Sequence, residues 1–314
     1  MNIKKTTRGA VLSEAAMLTS VRISMFNPLR DDREASRELA HTKGASTRRV
    51  KVKKRIFDNC FPKTRQQAAF IRNGIMYKYT FELPKNGGGQ QKGPRLLPTR
   101  IAEKFLDEIT SAMDDFNHYA DEECADLEKY LDSERESFGD LFKETDYSWI
   151  QSIRNTFNVE VAVDPIPSVE GINVGRHNDR MRAQSAERQS KMIAEMNKQL
   201  LATMLEHVSH VANVLDKDRT CIFPSLLGNV RELVQDIIPA CNVNDDPEIT
   251  SLCNDLKKVL RYNDEQIKNS ESAKKMIQKV AKSTAKKVAK AAKDAGVTKD
   301  DLTTTCRKKA ASYF

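Results

Sequence analysis

Lys274, Lys275, Lys279, Lys282, Lys286, Lys287, Lys290 and Lys293 crowd one short stretch that contains no acid. Ammonium groups at that density neutralise phosphates without reading base sequence, and their attraction for a polyanion weakens as salt rises. A second run, Arg48, Arg49, Lys51, Lys53, Lys54 and Arg55, is also free of acids. Its arginines add planar forks suited to phosphate oxygens. These fourteen side chains are the candidate nucleic-acid-binding residues. The expected ligand is nucleic acid, DNA above all, held without sequence preference. Aromatic side chains that could stack on bases are sparse nearby: Phe57 and Phe61 downstream, Tyr77 and Tyr79 further on. The competing reading is intramolecular, with both basic runs neutralised by an acidic helix of the same chain.

No other constellation reaches the level of a motif. His207 and His210 stand at i, i+3 with Glu206 adjacent, but no second pair completes a metal site. His118 and Glu122 form an ordinary i, i+4 helix pair. Acids such as Asp114-Asp115 and Asp121-Glu122-Glu123 are adjacent in sequence, so on a helix they diverge instead of converging on a substrate. No His-Glu-x-x-His, Gly-x-Ser-x-Gly or paired-cysteine signature occurs, and Gly93-Pro94 after Lys92 is not a phosphate loop. The expectation is no catalytic residue, no metal and no cofactor.

The charge distribution has the same direction. The net charge is +8, but residues 1–100 carry +15, residues 101–150 carry −12, residues 151–256 carry −5 and residues 257–314 carry +10. Basic ends around an acidic middle fit a polyanion held at the ends, or ends folded onto the middle. The six cysteines show no disulfide framework, so reduced thiols are expected, with Cys124 and Cys253 on apolar helix stripes. No apolar run is long enough to span a membrane, and the basic start Met1-Asn2-Ile3-Lys4-Lys5 lacks the apolar stretch of a secretory signal. No membrane partner is expected.

Elements must position these residues. Alternation predicts short strands at 20–26, 76–83 and 158–163; a polar helix is expected at 31–42 and a helix at 63–76. Ile101, Phe105, Ile109, Ala112, Phe116, Ala120, Cys124, Leu127 and Leu131 recur every three or four residues and predict a helix over 99–131. A second helical stretch runs from Leu141 to Phe157. Met192, Met196, Leu200, Met204 and Val208 mark a long helix over 178–216, followed by helices 225–240 and 247–262, the last started by Asp246-Pro247. The basic helix, about 264–295, is thinly apolar. Its lysines are expected around most of its circumference, leaving little to bury.

An ordered set of residues runs through the first half: Leu83-Pro84, Pro94-Arg95-Leu96-Leu97-Pro98, Phe116 with Tyr119, Leu141-Phe142, Asp146-Tyr147, Phe157 and Pro165-Ile166-Pro167. With Phe26, Asp31-Asp32 and Gly44-Ala45, this resembles an uncharacterised family common in tailed bacteriophages, over residues 20–175. Lys85 departs from that family's Trp, and Ser148 from its Pro. The resemblance implies a phage-encoded protein of the infected host's cytoplasm. It implies no activity and no catalytic residues.

The expected fold is mainly α (α+β): a small antiparallel sheet on helices in the N-terminal half, and an antiparallel helical bundle plus a basic helix in the C-terminal half. The expected divisions are a flexible N-terminus 1–19, an α+β domain 20–167, a linker 168–177, a helical domain 178–262 and a basic helical tail 263–314. The expected function is that of a non-enzymatic phage accessory protein binding nucleic acid through its basic ends, in phage DNA metabolism. The alternative is a helical scaffold that binds itself or another phage protein without nucleic acid.

Overall fold

A computed structural model of the chain describes residues 8–57, 60–84, 93–148, 150–216, 224–243, 245–260 and 270–298. Helix α1 (Arg8–Ala15) leads directly into strand β1 (Ala16–Ser24). The Asn27 side chain accepts from the Leu29 N–H and turns the chain into β2 (Leu29–Asp32). Asp32 then caps α2 (Arg33–Thr42) by accepting from the Ala35 N–H at 3.0 Å. Strand β3 (Val52–Arg55) returns antiparallel beside β2, with Asp31 opposite Lys53. Helix α3 (Pro62–Ala69) continues through a π-helical turn, Phe70–Ile75, into α4 (Met76–Tyr79). Two short strands follow, β4 (Phe81–Glu82) and β5 (Arg95–Pro98). The loop 84–94 falls mostly outside the described residues.

A 3₁₀ turn, Thr99–Ile101, opens α5 (Ala102–Ala125), and α6 (Leu127–Phe138) follows after a break at Asp126. Three 3₁₀ turns between Gly139 and Thr156 lead to β6 (Asn158–Pro165). Helix α7 (Asn178–Asp216) occupies the span its methionine and leucine stripe predicts. Helix α8 (Pro224–Glu232) widens into a π turn, Leu233–Ile237, before α9 (Ile238–Cys241). Pro239 removes one helical N–H, and the wider turn just before it accommodates the ring. Pro247 starts α10 (Pro247–Val259) under an Asp246 cap. Ser270 caps α11 (Glu271–Asp294), accepting from the Ala273 N–H. Gly296, at φ 76°, ends α11: its N–H donates to the Lys293 carbonyl, and the Val297 N–H donates to the Ala292 carbonyl. That pair of bonds is a Schellman stop.

The fold is mainly α, with a four-stranded sheet ordered β4-β5-β1-β6 and a separate β2-β3 ribbon. In the sheet, Ala16 pairs with Pro98 and Thr19 with Arg95, while Phe81 pairs with Leu96. The chain divides into two compact units, each drawn from separated stretches: 1–20, 73–108 and 161–314 in the first, 21–72 and 109–160 in the second. This division differs from a sequential one broken at 168–177. Helix α11 belongs to the first unit, where it packs along α7 and α10. It is therefore part of a core and not a tail.

In the first unit, Met196, Leu200, Met204, Val208 and Val211 of α7 are buried, as are Leu12, Leu96, Leu97 and Phe105. Leu12 and Ala16 lie in a segment expected to be flexible. Both are fully buried, so residues 8–19 are structured. In the second unit, aromatic rings form a chain: Phe26 to Phe61 at 5.8 Å, Phe61 to Phe157 at 4.7 Å, and Phe157 to Phe116 at 6.4 Å. A second ring group joins Phe57, Tyr147 and Phe142.

Three expected elements differ. The strand over 76–83 is helical to Tyr79, with only Phe81–Glu82 extended. Ala68, Ile71, Ile75, Met76 and Tyr79 are all buried, so the alternating residues also satisfy a helical stripe, and packing selects that period. The stretch 141–157 forms 3₁₀ turns and not one helix, which suits the three-residue spacing of buried Tyr147, Ile150 and Ile153. The helix expected over 99–131 opens with the 3₁₀ turn Thr99–Ile101 and is broken at Asp126 into α5 and α6.

Candidate nucleic-acid interface

Helix α11 corrects the expectation that its lysines encircle it. Ala273, Ile277, Ala281, Thr284, Val288, Ala291 and Ala292 are buried and recur at three, four or one residues. At about 100° per residue they share one arc. Lys275, Lys279, Lys282, Lys286, Lys290 and Lys293 are all exposed. They fall within an arc of about 80°, opposite the buried one, along roughly 27 Å of helix. The small alanines let α11 approach α7 closely, and Ile277 (1% exposed) and Val288 (0%) anchor it. The α7 stripe, longer than α8 could cover, is thus covered by α11.

The other two lysines of the run lie off this face. Lys274 is half-buried and pairs with Glu271. Lys287 donates to one oxygen of Asp255 at 2.6 Å, and Lys258 of α10 pairs with the other. These hydrogen bonds, Lys258 first, hold the Asp255 carboxyl below its ordinary range. Asp255 escaped the sequence reading, although a signal was present. It lies beside Leu252 and Leu256 on the buried side of α10, where a carboxylate requires cations.

The second basic run lies in the other unit. Arg48, Arg49, Lys51, Lys53 and Arg55 are exposed. Alternation along β3 turns Lys54 inward, where its ammonium pairs with Asp146. Asp31 stands across the ladder from Lys53 on the same outward face, a favourable cross-strand charge pair that interrupts the basic surface. The intramolecular reading therefore describes Lys54, whose partner belongs to the acidic block 101–150. Phe57 and Phe61 are buried (2% each), Tyr79 is buried, and Tyr77 lies under the Arg95 guanidinium at 4.3 Å. Phe57, Phe61 and Tyr79 offer no open face to a base, and Arg95 covers one face of Tyr77.

Much of the acidic block has local work. Phe61 enters α3 in a left-handed conformation without a side-chain cap, so the first N–H groups of α3 need acceptors. Glu123 supplies them, accepting from the Lys63 N–H at 2.9 Å, the Thr64 N–H at 3.1 Å and the Thr64 hydroxyl at 2.6 Å. Glu122 pairs with the Lys63 ammonium, and Asp121 with Arg154. In the first unit, Lys78 bridges Glu108 and Glu232, and the Tyr79 hydroxyl donates to Glu108. Burial, then that bond, pushes the Tyr79 pKa up to about 12. Arg95 is held between Glu82, the Thr80 hydroxyl and the Thr80 carbonyl; desolvation lowers its pKa.

Cys60, Cys124, Cys241 and Cys253 are free thiols, each raised in pKa by burial, Cys124 to about 11. Among the described residues no group of three or more His, Cys, Asp or Glu side chains could hold a metal ion. No described helix is long and apolar enough to cross a membrane. No family model, no curated protein and no solved structure matches the chain.

Proposed function

We propose that this is a non-enzymatic, nucleic-acid-binding accessory protein that holds duplex DNA by its phosphates through the lysine face of α11. One observation carries the reading: six lysines share the solvent face of a helix whose other face is buried in a core. Successive lysines on that face are three or four residues apart. Each such like-charge neighbour pair destabilises a helix by about 0.2–0.5 kcal/mol. A polyanion relieves that repulsion. The helix contains no arginine and no aromatic residue. This favours backbone contact over base reading, and a duplex over stacked single strands. The exposed residues Arg48, Arg49, Lys51, Lys53 and Arg55 are a secondary contact, weakened by Asp31.

The resemblance of residues 20–175 to a tailed-phage family supports placing this activity in phage DNA metabolism, in the cytoplasm of an infected bacterium. The test is fluorescence anisotropy with a random-sequence duplex. Lys279→Gln/Lys286→Gln/Lys290→Gln should weaken binding to every sequence alike and flatten its salt dependence by about 2.7 in slope, at about 0.9 per lost phosphate contact. Unchanged binding by this variant would refute the proposed surface.

A further inference from the structure

The Asp255 junction has a layered arrangement. The carboxylate lies beneath, its side chain 12% exposed, while the two ammoniums it holds belong to side chains that are 51% (Lys258) and 58% (Lys287) exposed. Each ammonium has three N–H donors, and Asp255 engages one of each. Lys287 neighbours Lys286 and lies three residues before Lys290, at the edge of the lysine face. Lys258 comes from a different helix, and Asp255 fixes it beside that edge.

We infer that Lys258 and Lys287, held side by side on the Asp255 carboxylate, form a two-helix phosphate seat that extends the lysine face of α11 onto α10. This rests on the proposed binding of a polyanion by α11 and adds residues to it. Two flexible side chains are ordered before any ligand arrives, which lowers the entropy lost on binding a phosphate. The junction retains a charge of +1 after Asp255 is counted, and Lys286 and Lys290 add to its field. Lys257 supplies an internal control. One residue from Lys258, it is rotated about 100° around α10, away from Asp255.

The test uses the full chain and a random thirty-base-pair duplex across a salt series. Lys258→Gln/Lys287→Gln should flatten the slope of log affinity against log salt by about 1.8, with affinity falling roughly eightfold per lost contact at about 0.1 M salt. Lys258→Gln alone, which leaves the Lys287–Asp255 pair in place, should flatten it by about 0.9. That single variant stands in if the double variant fails to fold by circular dichroism. Lys257→Gln should bind like wild type. Wild-type slopes in both seat variants, together with lost binding in Lys279→Gln/Lys286→Gln/Lys290→Gln, would overturn the seat and leave the α11 interface standing. No binding by the wild-type chain would overturn both.

Discussion

Replacing Ile277 by alanine tests whether α11 is an anchored element. Ile277 is 1% exposed, one turn from Ala273 and Ala281 on the face that meets α7 and α10. Its truncation removes buried methyl and methylene groups and leaves a cavity, at a cost of about 2–5 kcal/mol. With a urea slope of about 2 kcal/mol/M, the unfolding midpoint of the first unit should fall by roughly 1–2.5 M. The matched change on the opposite face is Lys286→Gln. It removes the repulsion of Lys286 with Lys282 and with Lys290, so it should raise stability by about 0.4–1 kcal/mol at low salt, and by less at high salt. Urea titrations of both variants, followed by helical circular dichroism, supply the comparison. Equal, small shifts would mean that α11 is not packed by its alanine, isoleucine and valine stripe. The lysine face would then lose the support that orients it.

Other outcomes follow from the same structure. Phe116, fully buried against the Phe157 ring, should destabilise the second unit by about 3–5 kcal/mol when changed to alanine; an unmoved midpoint would contradict its burial. Asp255 has a depressed folded pKa, so its stabilising contribution is complete above the unfolded carboxyl value of about 3.9 and is lost as pH falls through the folded value. Acid unfolding below about pH 4 should therefore be less steep in Asp255→Asn than in wild type, and identical profiles would remove the carboxylate from the stability account. Cys124, with a pKa of about 11, should alkylate slowly at pH 7.5 in the native protein and readily in urea, as peptide mapping would show; fast native labelling would contradict its environment.

Long, strongly periodic helices were legible in the sequence. Helix α7 runs over 178–216 as its methionine and leucine stripe indicates, and Asp246-Pro247 starts α10. Short segments were not. Met76 to Tyr79 satisfies both an alternating and a helical pattern, and only the burial of Met76 and Tyr79 on the helical stripe decides between them. Most of the candidate lysines were visible as composition. Their arrangement was hidden because alanine scarcely registers as an apolar stripe, although Ala273, Ala281, Ala291 and Ala292 bury as fully as a larger side chain would. Lys258 was hidden for a different reason. Its role depends on Asp255, whose partner Lys287 lies far along the chain.

The most direct measurement of the central proposal is the affinity of the full chain for a random-sequence DNA duplex as a function of salt, with and without the lysines of the α11 face. Six phosphate contacts at about 0.9 each predict a contribution of about −5 to the slope of log affinity against log salt, independent of base sequence, and that contribution is lost when Lys275, Lys279, Lys282, Lys286, Lys290 and Lys293 are all changed to glutamine. Absence of binding at about 50 mM salt with micromolar protein would contradict it, since non-specific affinities of this kind are strongest there. It would leave the helical scaffold as the reading to pursue.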